Sequence, residues 1–172
     1  MDLMQYIDKG GMVMIILLGL NVIGFTIMIV KFVQYLLIAP KMQKVVDVVY
    51  HDIQTKDQTT QMALSKDIMT EKMVEYEKGL STVRIIASIA PLLGLLGTVI
   101  GVLSAFDAIS KSGLGDPSVF ASGISLALIT TVGGLVVAIP HYIGYNYLVG
   151  MLDKIEARFA SAMSRKIYGG AV

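Results

Sequence analysis

Residues 85–106 read IIASIAPLLGLLGTVIGVLSAF, 22 positions without a charged side chain. A second such run, residues 117–152, reads PSVFASGISLALITTVGGLVVAIPHYIGYNYLVGML and spans 36 positions, with His141 its only candidate for titration near neutral pH. A third, residues 10–30, reads GGMVMIILLGLNVIGFTIMIV, and its apolar character continues past Lys31 to Ala39. At about 1.5 Å rise per residue, roughly 20 residues cross a bilayer core of about 30 Å. A helix packed in a water-soluble core would show a charged face within that length. The reading is an all-α, three-span helical membrane protein, with spans at about 12–38, 85–106 and 120–149, in a single membrane domain over residues 1–172.

Composition agrees. Of 172 residues, 55% are hydrophobic and 16% charged, against about 25% charged in ordinary soluble domains. Mean hydropathy is +0.70. A net charge of +1 excludes a broad polybasic surface, so no nucleic-acid partner is expected. The absence of cysteine excludes disulfide frameworks, thiolate metal sites and a cysteine nucleophile. The first run has Asp2, Asp8 and Lys9 before it, where a cleavable signal has a basic flank, and it is longer than a signal core. A retained anchor is expected.

Basic residues set the orientation. Residues 31–84 carry eight of them and the tail after Leu152 four, while Lys9 and Lys111 are the two left for the other side. That bias places the N-terminus outside, the loop 40–84 and the tail 153–172 inside, and a short hairpin outside. Tyr35, Tyr142, Tyr145 and Tyr147 then fall near the inner interface, and Phe106 and Phe120 near the outer one.

The inner segments keep a helical period. Met69, Met73, Tyr76, Leu80 and Val83 form a stripe that runs on in phase through Ala87, Pro91, Gly94, Thr98, Gly101 and Ala105. One long cytoplasmic helix is therefore expected to become the second span, despite Gly79 and Pro91. Leu148, Leu152, Ile155, Phe159 and Met163 extend the third span in the same way, and Met42, Val45, Val49 and Ile53 predict a short helix after the first. His51-Asp52 and residues 55–60 are the expected turn. Long amphipathic helices on so short a chain suit an oligomer built around a central axis; antiparallel packing within a monomer is the other option.

The second and third spans carry faces of small residues. Pro91, Gly94, Thr98, Gly101 and Ala105 share about 80° of arc with Ala87, and Gly123, Ala127, Thr130, Thr131, Gly134, Ala138 and His141 share about 100°. In lipid, small residues permit close backbone approach and hydroxyls supply hydrogen bonds. Two readings stay open: ordinary helix contacts, or the lining of a shared central passage with Thr98 and Thr131 as its polar spots. No Asp, Glu, Lys or Arg lies inside either span, although intramembrane proton relays are built from carboxylates or histidines. A titrating group for an ion-driven machine would have to come from a partner helix. His141, toward the inner end of its span, reads first as a hydrated interfacial histidine and second as a relay. Gly94-Leu-Leu-Gly97-Thr98 and Gly133-Gly134 lack the lysine of a phosphate loop, and two distant histidines make no metal site. Neither an enzyme nor a bound cofactor is expected.

Two motifs carry a resemblance. Ala90-Pro-Leu-Leu-Gly-Leu-Leu-Gly-Thr-Val-Ile-Gly101, followed by Ala105-Phe106, resembles the second-span signature of the ExbB/TolQ/MotA group of inner-membrane proton-channel proteins. Residues 123–140, followed by Tyr145-Asn146, resemble that group's third span. Three spans with the N-terminus outside match ExbB and TolQ, whereas MotA-like stators have four. The resemblance implies a homopentamer in the bacterial inner membrane whose second and third spans line a pore. That pore would hold the single-span helices of an ExbD dimer, or of TolR for TolQ. A titrating aspartate on the partner would drive rotation with the proton motive force. TonB would deliver the work to outer-membrane receptors, or TolA to envelope constriction.

On this resemblance the proton-pathway residues are Thr98, Thr131 and Thr130, and the close-packing pore face is Gly94, Gly101, Ala105, Ala127, Gly134 and Ala138. The expected role is ExbB-like energisation of TonB-dependent transport, with a TolQ-like subunit or a non-conducting helix-binding scaffold as alternatives. Many ExbB and TolQ chains carry a glutamate four residues before the position of Thr130; here Leu126 stands there, so that glutamate's role is absent or moved. The chain also has a short N-terminus and inner loop for this group.

Overall fold

A computed structural model describes residues 3–112 and 117–169. The elements among the described residues are helices: α1 (Leu3–Ile38), a 3-10 turn (Ala39–Lys41), α2 (Met42–Ile53), α3 (Gln58–Glu77), α4 (Leu80–Ser112) and α5 (Pro117–Tyr168). Three stretches are long and apolar enough to cross a membrane: Gly10–Ile53, Leu80–Lys111 and Phe120–Tyr168. Gly11, at φ 57° and ψ −148°, interrupts α1. The regular run therefore starts where the charge-free sequence predicts. Of the hairpin expected between the second and third spans, residues 107–112 continue α4, residues 117–119 open α5, and residues 113–116 lie outside the described residues. Pro91 and Pro140 both lie within helices, as expected for spans whose backbone finds other hydrogen-bond partners.

The chain divides into two compact units, one of residues 1–27 and 82–144, the other of residues 28–81 and 145–172. In the first, Leu17, Ile86, Ala90, Val137 and Ala138 form a buried cluster. In the second, the predicted stripes meet: Val46, Val49 and Ile53 of α2 and Met69 and Met73 of α3 share one core with Leu152, Ile155, Phe159 and Met163 of α5. The apolar period of the inner segments thus marks a core rather than a solvated face. α5 continues unbroken from the third span into this unit, as its stripe predicts.

Three expectations are corrected. The helix predicted to run without interruption into the second span is broken at Lys78 and Gly79. Gly79 takes φ 91°, a left-handed conformation that other residues adopt only with strain. Lys78 closes α3 by donating its amide to the Glu75 carbonyl at 3.3 Å. The break removes the amide that Tyr76 O would otherwise accept from Leu80. Two side chains of α1 replace it: Tyr35 Oη donates at 2.8 Å and Lys31 Nζ at 3.0 Å. Tyr35 is accordingly buried in the core of its unit rather than placed at a lipid interface, whereas Tyr142 and Tyr147 are exposed.

The third correction concerns the turn. His51 and Asp52 lie inside α2, and α3 already begins at Gln58. Asp57 starts it as an N-cap: its carboxylate accepts from the Thr60 amide at 3.0 Å, from Thr60 Oγ1 at 2.6 Å and from Thr59 Oγ1. These bonds satisfy donors that a helix start leaves free. They also hold the Asp57 carboxyl well below the usual carboxylate range.

Candidate functional site

The small-residue faces of α4 and α5 meet in the first unit. A side chain on Gly101 would lie 2.7 Å from the Gly123 carbonyl and 2.8 Å from the Ala127 nitrogen, and one on Gly134 would lie 2.6 Å from the Ala90 carbonyl. Gly94 is as confined, with the Thr130 carbonyl 2.8 Å from where its Cβ would be. At these glycines the two backbones are in contact, with no room for a side chain. Ala105, Ala127 and Ala138 are buried along the same pair. The structure thus shows a direct contact between two helices of one chain.

Within this contact sits one pair of hydroxyls shared across the helices. Thr98 Oγ1 and Thr131 Oγ1 are 2.5 Å apart. Thr98 Oγ1 also reaches the carbonyls of Gly94 at 3.2 Å and Ala127 at 3.3 Å, and Thr131 Oγ1 reaches Ala127 O at 3.2 Å. Each hydroxyl has one proton and two lone pairs. The pair can therefore keep one O–H on a backbone carbonyl, pass the other between hydroxyls, and offer a lone pair to a donor on a third group. It cannot bind a proton permanently. Both threonines are partly exposed.

Thr130 differs. It is fully buried, and its hydroxyl is held at 3.0 Å by the Leu126 and Ala127 carbonyls of its own helix. Its side chain fills the space left by Gly97, where an added Cβ would collide with it. Gly97 is thus a contact residue that the sequence reading passed over. Its spacing of three from Gly94 was the available signal, since two glycines at i and i+3 share a helix face. Leu126 is partly buried.

His141 corrects a further expectation. It is fully buried, not an exposed interfacial residue. Nδ1 lies 2.7 Å from the Val137 carbonyl and donates to it, and Nε2 is buried with no hydrogen-bond partner among the described residues. The ring abuts Gly24 so closely that a side chain there would overlap Nε2, and the edge of Phe25 covers it at 5.0 Å between centroids. Gly24, in the first span, is a second contact position, and here the spacing within its own span gave no reason to single it out.

These charge-free, closely packed spans joined by a hydroxyl pair are those of a bundle of membrane-crossing helices. Residues 35–161 match the model of the MotA/TolQ/ExbB proton channel family. The chain belongs to that family and is a multi-pass membrane protein, with three helical stretches able to cross a bilayer. It is 41% identical over 86 residues to the biopolymer transport protein ExbB of Helicobacter pylori, covering 50% of this chain and 59% of that one. To ExbB of Aquifex aeolicus it is 45% identical over 75 residues, 44% of this chain and 51% of the relative. To the Tol-Pal system protein TolQ of Haemophilus influenzae it is 33% identical over 110 residues, 60% of this chain and 48% of the relative. The chain thus spans about half the length of these relatives.

Proposed function

We propose that the chain is the ring-forming, proton-channel subunit of an inner-membrane motor. Five copies surround the single-span helices of an ExbD-like dimer, and proton flow drives work on a TonB-like protein and hence outer-membrane transport. The chain has its N-terminus outside and its C-terminus inside, and catalyses no covalent chemistry. The observation that carries this reading is the Thr98–Thr131 hydroxyl pair, set in two spans that hold no carboxylate. Such a pair supplies polarity without charge, which suits a wall facing a titrating carboxylate on another chain. Gly94, Gly101, Ala127 and Gly134 hold the two helices close enough for the pair to form.

Removing both hydroxyls isostereically tests it. Thr98→Val with Thr131→Val is expected to leave assembly intact and to abolish proton-dependent activity in cells carrying the partner genes. Full activity in that double variant would reduce the chain to a non-conducting scaffold for a membrane helix. A TolQ-like role in envelope integrity is the second reading, supported by a TolQ match that covers a larger share of this chain than the two ExbB matches do. Capture of the single-span partner separates the two: an ExbD-like protein supports the first, a TolR-like protein the second.

A further inference from the structure

Beyond the third charge-free run, α5 carries two unlike faces. At about 100° per residue, Lys154, Arg158, Ser161 and Arg165 share roughly 60° of arc, and Phe159 and Met163 lie on the opposite side. The cationic side borders a groove of about 480 Å³ whose far wall comes from the segment around Pro40 and Met42, and no carboxylate lines it. The opposite side packs on α3, where Phe159 and Met163 share a core with Met69 and Met73. Gln58 Nε2 donates to the Ile167 carbonyl at 3.4 Å, and Met62 to Thr70 of α3 face Glu156 to Met163 of α5 across a cleft. α3 and α5 therefore run antiparallel, with Gln58 level with Ile167 and Met69 level with Glu156. Equal rise along both helices then puts Asp67 level with Arg158 and Glu71 level with Lys154.

α3 has its own unlike faces. Ser65, Met69 and Met73 are buried toward the core, whereas Asp67, Glu71 and Glu75, spaced four apart, lie on the side turned away from it. They are exposed, with the exposed apolar Val74 among them. The acidic stripe and the basic groove thus sit on opposite sides of the α3–α5 pair, at matching heights. Each stripe places like charges at i and i+4, which repel within one helix. Elsewhere in this unit Lys166 Nζ and Asp47 do pair, at 2.6 Å. Asp67, Glu71, Lys154 and Arg158 have no ion pair of their own among the described residues.

We propose that the acidic face of α3 docks into the basic groove of α5 on the next copy of this chain, Asp67 beside Arg158 and Glu71 beside Lys154. Rotation about an axis along the helices leaves every residue at its own height, so level charges on opposite sides of one copy become facing charges between neighbours. The contact is heterologous, using one face of each kind per copy, and such contacts form a ring when the rotation between copies closes, as it does about an axis along the helices with no rise between copies. The charge complementarity selects neighbours and fixes their register. This interface rests on the ring reading given under the proposed function and names what closes the ring.

The chain has no cysteine, so disulfide trapping has a clean background. Full-length copies carrying Glu71→Cys and differently tagged copies carrying Lys154→Cys, expressed together and oxidised in membranes, are expected to cross-link as a mixed dimer. Two Glu71→Cys copies are expected not to cross-link, and the double variant in one chain is expected to give a ladder ending at the full ring. Charge reversal of Asp67→Lys with Glu71→Lys is expected to reduce the ring seen by native mass spectrometry, and adding Lys154→Glu with Arg158→Glu to restore it. A ring that persists through the first reversal with no cross-link overturns this interface and leaves the ring reading standing. Monomers of the unsubstituted chain overturn both. An unchanged ring that loses co-purifying anionic phospholipid on Lys154→Gln with Arg158→Gln assigns the groove to a lipid headgroup and overturns the docking.

Discussion

Gly101 and Gly134 act through what they lack. Each faces a carbonyl of the partner helix at a distance that excludes a methyl group, so the α4–α5 contact is made by backbone. Gly101→Val is therefore expected to destabilise the unit by at least the ~1–3 kcal/mol of an overpacked core. Thermal unfolding in detergent measures this, and an unchanged midpoint would contradict the contact. Gly24→Ala is expected to displace the buried His141 ring and to lower the same midpoint. His141→Phe keeps the ring's volume and tests whether the chain conducts on its own residues. Unchanged proton flux is expected, with titration supplied in trans. The small faces themselves were legible because glycine, alanine and threonine recur at helical spacing. Gly97 was marked only by its spacing of three from Gly94, and Gly24 not at all, because it answers a side chain of a different helix, and the spacing within a single span does not reveal that partner.

At the scale of elements, the break between α3 and α4 shows how periodicity and backbone geometry can part. The apolar stripe keeps its phase across Gly79, and Leu80 and Val83 are buried as the stripe requires. The backbone nevertheless leaves the helix there, and Tyr35 and Lys31 from α1 take up the freed Tyr76 carbonyl. Burial pattern was readable from the sequence; the positive φ and its remote hydrogen bonds were not, since they join residues about forty positions apart. Gly79→Ala is expected to cost about 1 kcal/mol in backbone strain, and Tyr35→Phe about 0.5–1.5 kcal/mol in a lost hydrogen bond. Denaturant unfolding of each variant checks both.

The start of α3 gives a pH signature. Asp57 is held ionised by Thr59 and Thr60, with its carboxyl below its ordinary value. A depressed carboxyl contributes stability that is complete above the ordinary carboxylate pKa of about 4 and is lost as pH falls through the lower folded value. Helicity of the native chain should therefore decline over that acid window, and Asp57→Ala should flatten the decline while lowering helicity at neutral pH. An identical acid profile in the variant would exclude the cap as its source. The signal was present in the sequence as Asp57 followed three residues later by Thr60, at the edge of a polar stretch. It was outweighed there by a run of turn-forming residues.

For the whole molecule, three charge-free runs located the membrane-crossing helices, and two motifs of small residues located the contact between the last two. The family match covers residues 35–161 and so includes the second and third of these runs. Subunit number and partner belong to surfaces that one chain leaves unpaired, which is why hydropathy alone stops at an oligomer. The hydroxyl pair, the absence of carboxylates beside it and the level charges on α3 and α5 all gain a purpose in a ring around a titrating helix. Native mass spectrometry of the detergent-extracted protein, expressed with its single-span partner and alone, tests that claim most directly. The account predicts five copies enclosing two partner chains. A monomer or dimer with no enclosed partner would contradict it and leave the α4–α5 face as packing within a single chain.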